Sequence, residues 1–395
     1  MKHIKYFFFY LFLSVIFSNF IHAQSTNLKV QNVKVYYEPG MFGGWPANHG
    51  IWIWDNEILV GFAKASYLDM GPERHNVNKE NPELHVMARS LNGGETWKIE
   101  DPGKRGELLV PDNGVYQGSI RKDAQPQKIK KNKGIDFKNP ELALTFRMSS
   151  IDGGETSYWY SYDRGHRWIG PHELPNFSTK GLAARTDYII DGKSQCMLFL
   201  TASKSNGKEG RVFCIKTENG GGNWSFISWI GPEPEGFSIM PASVRLSEKE
   251  ILVTTRRREG PKRFIAAYNS KDNGLTWNQL NNPVEDSGIG NPPAMVKMTD
   301  GRICLIYGYR ATEEEIKNKT ATSDIRAKIS NDNGLSWSKD YILRNDGSGW
   351  DLGYPRVVQR SDGKIVAVYY FMDKETGPER YIAATIWDPP AYGEE

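Results

Sequence analysis

The chain has 395 residues, of which 39% are hydrophobic and 25% are charged. Its 50 basic and 47 acidic side chains leave a formal net charge of +3, a balance that gives no indication of nucleic-acid binding. The three cysteines are too few and too scattered for a disulfide framework or a zinc site, so we expect buried free thiols and predict no metal or other cofactor.

The N-terminal segment has the pattern of a secretory signal peptide. Lys2 and Lys5 precede an apolar run from Tyr6 to Ile21, and cleavage is expected after Ala23. The run is too short for a transmembrane helix, and no later segment approaches its length. We therefore predict an exported protein, periplasmic or secreted, with no membrane span and one mature domain, residues 24–395.

Five octets along the chain share one pattern: a hydroxyl residue first, Asp or Asn third, Gly fifth and Trp eighth. They are SLNGGETW (90–97), SYDRGHRW (161–168), TENGGGNW (217–224), SKDNGLTW (270–277) and SNDNGLSW (330–337). Side-chain bonds to the backbone, a glycine with positive φ and a tryptophan over the apolar layer are typical of a tight turn between strands. The octets are therefore predicted to be structural.

The spacing of the octets predicts the fold. Their tryptophans lie 53 to 71 residues apart, which fits the four-stranded blades of an all-β propeller. We predict six blades, or seven if the long interval between Trp97 and Trp168 contains a degenerate one. The last blade follows Trp337 and lacks an octet. The segment LKVQNVKVYY (28–37) would supply its outer strand and close the ring.

A second repeat marks the starts of blades: WPAN (45–48), MPAS (240–243), PPAM (292–295) and YPRV (354–357). Proline suits the first residue of a strand, and the first strand of each blade lines the central channel. Side chains beside these prolines should converge on one pocket. Within GGWPANHGIWIW (43–54) this places Trp45, Asn48 and His49 at its mouth.

The octets are identified as Asp-boxes, and the chain resembles the sialidase superfamily over nearly all of its mature length. Sialidases have Arg-Ile-Pro where this chain has Gly44-Trp45-Pro46, so the arginine that holds the sialic acid carboxylate is missing. TTRRRE resembles the segment of a later strand-end arginine, with Arg257 as the middle candidate. GYPRVVQRSDGKIVAVYY resembles the segment with the tyrosine nucleophile, and Tyr354 would fill that position.

Within that superfamily, GGWPANHGIWIW, LAARTDY, IMPASVRL, GNPPAMVKM and DLGYPRVVQR most resemble glycoside hydrolase family 145. The resemblance implies an exo-α-L-rhamnosidase that releases terminal L-rhamnose linked α-1,4 to D-glucuronic acid on arabinogalactan side chains. Catalysis in that family is attributed to a single histidine near the start of the mature chain, which His49 matches. Histidine can act as acid or base near neutral pH, whereas the pocket motifs show no obvious carboxylate pair.

The substrate implied is an acidic glycan, and arginine is the best side chain for holding a uronate. Candidates at strand ends or blade mouths are Arg185, Arg257, Arg310 and Arg356. Trp45, Asn48 and Tyr354 would contact the sugar. The remaining mature histidines are expected at the surface, with His75 able to overhang the pocket from the insertion 66–83; the others are His85, His166 and His172.

Three other functions stay open. A uronate polysaccharide lyase would use His49 as base and Tyr354 as acid. A sialidase-like hydrolase is weakened by Trp45. A carbohydrate-binding propeller without catalysis would use the aromatic residues as sugar platforms.

Overall fold

The computed structural model describes residues 28–71, 73–110, 122–320 and 322–393. Its strands form six antiparallel sheets, so the predicted β-propeller is confirmed with six blades in these ranges. The predicted signal peptide, residues 1–23, lies outside them. No helix in the described part of the chain is long and apolar enough to cross a membrane.

The first half of the chain forms blades 1 to 3, after a first strand, β1 (Val30–Tyr36), that belongs to the last blade. The strands of blade 1 are β2 (Met41–Gly44), β3 (Ile51–Trp54), β4 (Glu57–Ser66), β5 (Leu84–Ser90) and β6 (Lys98–Glu100). Those of blade 2 are β7 (Ala143–Met148), β8 (Thr156–Ser161) and β9 (Ile169–Glu173). Those of blade 3 are β10 (Tyr188–Ile190), β11 (Cys196–Ser203), β12 (Glu209–Thr217) and β13 (Ser225–Trp229).

The second half forms blades 4 to 6. The strands of blade 4 are β14 (Phe237–Arg245), β15 (Ile251–Glu259), β16 (Lys262–Ser270) and β17 (Asn278–Gln279). Those of blade 5 are β18 (Ala294–Lys297), β19 (Ile303–Tyr309), β20 (Ser323–Ser330) and β21 (Tyr341–Gly347), with the helix α1 (Glu313–Asn318) between β19 and β20. Those of blade 6 are β22 (Gly353–Gln359), β23 (Ile365–Phe371), β24 (Tyr381–Trp387) and β1.

The N-terminal strand closes the ring. β1 pairs antiparallel with β24, with Val30 opposite Trp387 and Lys34 opposite Ala383. The sequence-based prediction that residues 28–37 would supply the outer strand of the last blade is confirmed.

The five octets each connect the last two strands of blades 1 to 5, and their hydrogen bonds repeat. In the fourth blade the Ser270 Oγ accepts from the Gly274 N–H (2.8 Å), and the Asp272 Oδ1 accepts from the Thr276 N–H (2.9 Å). Gly274 has φ 81°, which an L side chain adopts only at a cost. The predicted role of the octets as tight turns is confirmed, and all of them lie on one face of the propeller.

Two blades depart from the four-stranded pattern. In blade 1 the inner strand is broken: β2 and β3 both pair with β4, and a 3-10 turn, Pro46–Asn48, separates them. In blade 2 only three strands lie within the described residues. The turn in blade 1 lifts its backbone out of the sheet, and this displacement decides which side chains of GGWPANHGIWIW reach the pocket.

The core lies between neighbouring blades. Its largest cluster packs Phe42, Val60 and Phe62 of blade 1 against Val368 and Ile382 of blade 6. The three cysteines are buried and free, as expected from their apolar surroundings; they are Cys196, Cys214 and Cys304. Burial raises the pKa of the Cys214 thiol to about 11, so this thiol is unreactive at neutral pH.

Candidate active site

One pocket lies on the face opposite the Asp-box turns, with a volume of about 330 Å³. Its lining side chains come from or near the starts of inner strands, from the links β4–β5 and β7–β8, and from the start of β12 and the end of β15, which share that face because the strands alternate in direction. They are Trp45, Asn48, His75, Ile151, Asp152, Arg185, Glu209, Phe237, Ile239, Arg256 and Tyr354. The volume is near the lower end of the range for small-molecule sites.

The X-Pro motifs shape the pocket through the backbone. Trp45, Met240 and Tyr354 each precede a proline and have φ of 56°, 54° and 50°. The ladder shifts register at the same places in β14 and β22, because a residue in this conformation cannot continue a regular strand. Trp45 and Tyr354 thereby reach the pocket. The Asn291 side chain fixes Tyr354 by accepting its backbone N–H at 2.8 Å.

Tyr354 lies between two guanidinium groups. The Arg256 Nη1 donates to the Tyr354 hydroxyl at 2.9 Å, and the Arg310 Cζ lies 5.1 Å from the Tyr354 ring centre. The Arg256 Nε is buried and has no hydrogen-bond partner among the described residues. Burial lowers the pKa of Arg256, and the charge of Arg310 lowers it further. An anionic ligand would offset both the burial of the Arg256 charge and its repulsion by Arg310, so this corner of the pocket favours a carboxylate.

A buried carboxylate holds His75 at the wall of the same pocket. The His75 Nδ1 lies 2.8 Å from the Asp351 Oδ1, and the Arg380 Nε donates to the Asp351 Oδ2 at 3.0 Å. Burial opposes ionisation of Asp351, but His75, Arg380 and Arg310 outweigh it and hold its pKa well below the usual range. Asp351 is therefore an acceptor, so the His75 Nδ1 carries the proton and the Nε2 is left for acid or base chemistry.

Two further carboxylates line the pocket on the side of blades 2 and 3. Glu209 forms a short ion pair with Arg185, whose Nε donates to the Asn48 Oδ1 at 2.9 Å. The Asp152 Oδ1 accepts the Glu209 backbone N–H at 2.7 Å. Burial works against ionisation of Asp152, but this bond and Lys208 lower its pKa below the ordinary value. Asp152 is thus charged at neutral pH.

His49 lies outside the pocket, contrary to the prediction that it stands at the mouth. Its side chain is 5% exposed, and its ring centre lies 4.1 Å from that of His85 in blade 1. Burial, and then the positive charges of Arg147 and Arg356, hold its pKa well below the ordinary value. The 3-10 turn points Asn48 into the pocket and directs His49 inward. His49 is therefore not among the side chains that line the pocket.

The predicted arginines separate into two groups. Arg185 lines the pocket, and Arg310 lies behind Tyr354. Arg257 does not face the pocket: it contacts the Tyr268 hydroxyl and Glu259, because alternate residues of β15 point to opposite faces. Arg356 also lies outside the lining, where its Nη2 donates to the Ala47 carbonyl at 2.7 Å.

Four residues that the structure brings to the site were not predicted from the sequence, namely Asp152, Glu209, Arg256 and Asp351. Asp152 lies in the link between β7 and β8, Glu209 is the first residue of β12, and neither belongs to a repeated motif. Arg256 adjoins the predicted Arg257, and only the register of β15 distinguishes them. His75 was expected to overhang the pocket, and the structure places it there; His85 and His172, expected at the surface, are buried. Among the described residues, no group of three or more His, Cys, Asp or Glu side chains could hold a metal ion.

Comparisons with known proteins agree with this architecture. Residues 138–367 match the BNR repeat-like domain family. None of the curated proteins matches the chain in sequence. Among solved structures, a protein of unknown function from Dyadobacter fermentans superimposes with a TM-score of 0.66 at 19% identity, covering 91% of this chain and 99% of its own.

Two further structural neighbours are enzymes that act on glycosides. The NanB sialidase from Streptococcus pneumoniae superimposes with a TM-score of 0.57 at 11% identity, over 89% of this chain and 70% of its own. An α-L-arabinofuranosidase from Fusarium graminearum superimposes with a TM-score of 0.54 at 13% identity, over 90% and 96%. At these identities the likeness shows the fold alone.

Proposed function

The chain belongs to the family of BNR repeat-like domains, and from this premise we propose that it is an exported glycoside hydrolase that cleaves acidic glycans in the pocket of Trp45, His75, Arg256 and Tyr354. Sialidases and an arabinofuranosidase with the same architecture support a glycosidase. The observation that carries the proposal is the pairing of His75 with the buried Asp351 beside an arginine-held tyrosine. This arrangement combines an acid or base, a hydroxyl and a carboxylate anchor.

Each group has a role in the proposed reaction. His75, protonated at both ring nitrogens, donates the Nε2 proton to the glycosidic oxygen as the bond to the anomeric carbon breaks. Asp351 stabilises the imidazolium and holds the ring. Tyr354 faces the electron-poor anomeric carbon, and Arg256 holds the carboxylate of the sugar. Water then supplies the hydroxyl to the anomeric carbon and returns a proton to His75, so one water is consumed per bond.

The first substrate that we propose is terminal L-rhamnose linked α-1,4 to D-glucuronic acid on arabinogalactan-type glycans. Support comes from the sequence resemblance and from the arginine-rich pocket, which suits a uronate. In this assignment the role that the resemblance gave to His49 passes to His75, since His75 lines the pocket and His49 is buried beneath it.

The experiment measures sugars released from gum arabic and from sialosides by the wild type and by three variants. His75→Asn should lower kcat by roughly 100-fold to 10,000-fold, the usual contribution of a general acid or base. Arg256→Met should lower kcat/KM on acidic substrates by roughly 10-fold to 100-fold, because it removes a charged hydrogen bond. His166→Asn, in an exposed Asp-box turn, is the matched control and should leave both constants unchanged.

The outcomes separate the candidate activities. Release of rhamnose supports the finer assignment, and release of sialic acid supports a sialidase. Release of neither, or a His75→Asn variant as active as the wild type, would overturn the proposal. The same groups could also act as base, acid and carboxylate anchor in a uronate lyase. That reaction forms an unsaturated uronate, so ultraviolet absorbance of the products from uronate polymers tests it separately.

A further inference from the structure

A second concavity adjoins the pocket on the same face. It has a volume of about 850 Å³, more than twice that of the pocket. Its walls are the insertion 66–83 on one side, with Asp69 and Asn76, and helix α1 on the other, with Lys317 and Asn318. Trp350 lies between these walls.

His75 is the partition between the pocket and this groove. The Trp45 ring of the pocket contacts the His75 ring edge-on, with 5.4 Å between ring centres, and the Trp350 ring of the groove lies 5.5 Å from the same ring. Residue 76, next along the chain, lines the groove. A molecule that extends from the pocket past His75 therefore enters the groove without leaving the surface.

We infer that the groove binds the part of the glycan that extends beyond the sugars held in the pocket, with Trp350 as a stacking platform for a sugar ring. This inference rests on the proposed function. The indole is half-buried, and the Arg310 guanidinium, 5.4 Å from its ring centre, fixes its position. The flat face of a fixed indole packs against the apolar C–H face of a sugar ring, and this contact depends on the orientation of the two rings rather than on charge.

The polar side chains of the groove limit the chemistry of the occupant. Asp69 and Glu314 carry negative charge, Lys317 carries positive charge, and Arg380 is already engaged by Asp351. With these charges nearly balanced, the groove favours neutral sugar residues, whereas the pocket has Arg256 for an acidic one. If the pocket holds one sugar, a groove of more than twice its volume holds about two. The substrate is then an oligosaccharide or polymer with at least three units.

The test compares a short and a long substrate. An aryl glycoside of the cleaved sugar reports on the pocket alone, and a glycan with two or more additional neutral sugars reports on both pocket and groove. Trp350→Ala should lower kcat/KM on the long substrate by roughly 10-fold, equivalent to about 1.4 kcal/mol, through KM rather than kcat. It should change the short substrate by less than 3-fold, and Trp350→Phe should recover most of the loss.

A second variant keeps the Trp350 indole, which contacts His75, so that His75 is not disturbed. Asn318→Trp places bulk on the exposed groove wall and should reduce activity on the long substrate only. Asn206→Trp, at an exposed turn that does not line the groove, is its matched control. Calorimetry with a neutral disaccharide that lacks the scissile bond should show binding to the wild type and about 10-fold weaker binding to Trp350→Ala.

The outcomes distinguish the two proposals. If each variant changed kcat/KM equally on the short and long substrates, the proposed role of the groove would be refuted, whereas the proposed function would remain supported. An absence of hydrolysis with intact disaccharide binding would overturn the function and leave the groove as a sugar site. If Trp350→Ala bound the disaccharide as tightly as the wild type, the proposal that Trp350 stacks on a sugar ring would be refuted.

Discussion

Replacing His49 by glutamine tests whether this histidine is a buried structural residue or a catalyst. The native imidazole is held neutral by burial and by neighbouring positive charges, with its pKa well below 6.5. In the unfolded chain the same group takes up a proton near pH 6.5. Stability that is fully present above that pH is therefore lost as the pH falls, because only the unfolded state binds the proton. Glutamine removes this linkage.

The size of the effect follows from proton binding to the unfolded state. Each pH unit below 6.5 costs about 1.4 kcal/mol while the native imidazole stays neutral. Between pH 7.5 and 5.0 the wild type should lose about 2 kcal/mol through His49 relative to the variant. In a domain of this size that difference corresponds to about 3 °C in Tm.

The difference between the two proteins is the quantity to measure, because other buried groups act in the opposite sense. Burial raises the pKa of Glu83 and of Asp187 to about 7, so both carboxyls hold protons in the native state at pH values where the unfolded chain has released them. As the pH falls below 7, these two carboxyls increasingly stabilise the folded state, and this gain partly cancels the loss of stability caused by His49 and His85.

The assay is urea unfolding of the wild type and His49→Gln at several pH values from 7.5 to 5.0. The exposed His166→Gln is the control and should follow the wild type, because solvent surrounds this side chain in both states. The predicted result is a gap that moves by about 2 kcal/mol in favour of His49→Gln on acidification. A constant gap would refute the reasoning, and a folded His49→Gln protein without hydrolase activity would restore His49 as the catalyst.

Three further predictions concern the fold. Both Gly274 and Gly207 have positive φ, but only a Cβ added at Gly274 would meet neighbours, at 3.1 Å from Met197 and 3.2 Å from Cys214. Urea unfolding should therefore show a loss of about 2 kcal/mol for Gly274→Ala and about 1 kcal/mol for Gly207→Ala. Equal losses would contradict this reasoning. Val35→Ala should cost about 2 kcal/mol because it opens a cavity in the closing strand, whereas Val30→Ala, 36% exposed, should cost under about 0.5 kcal/mol. Thiol titration should find three thiols after unfolding without reductant and none before it, and a lower count would indicate a disulfide.

The repeats of the sequence predicted the fold because they have local physical causes. Each Asp-box combines a side-chain acceptor with a glycine, and its hydrogen bonds are the same in every copy. The prolines after Trp45 and Tyr354 likewise predicted the pocket, since they interrupt the ladder wherever they occur. Such features can be identified without knowing what packs against them.

The side chains that complete the site depended on information that is not local. The choice between Arg256 and Arg257 is a choice of sheet face, because alternate residues of β15 point to opposite sides. One 3-10 turn separates Asn48, which lines the pocket, from His49, which is buried, although both were expected at the pocket. Asp351 became a partner of His75 only because the insertion 66–83 folds over blade 6. No spacing within the sequence encodes these three outcomes.

Closure of the ring by β1 also determines when the molecule can be completed. β1 pairs with β24, the last of the described strands, so β1 is synthesised before the strands of every blade and must wait for the last of them. During synthesis blades 1 to 5 can form from neighbouring segments, but blade 6 cannot. Until the C-terminal strand emerges, the apolar side chains of β1 have no partner. The ring therefore closes only when β1 and β24 pair, and a nascent chain stalled before β24 presents an open ring to proteases and chaperones.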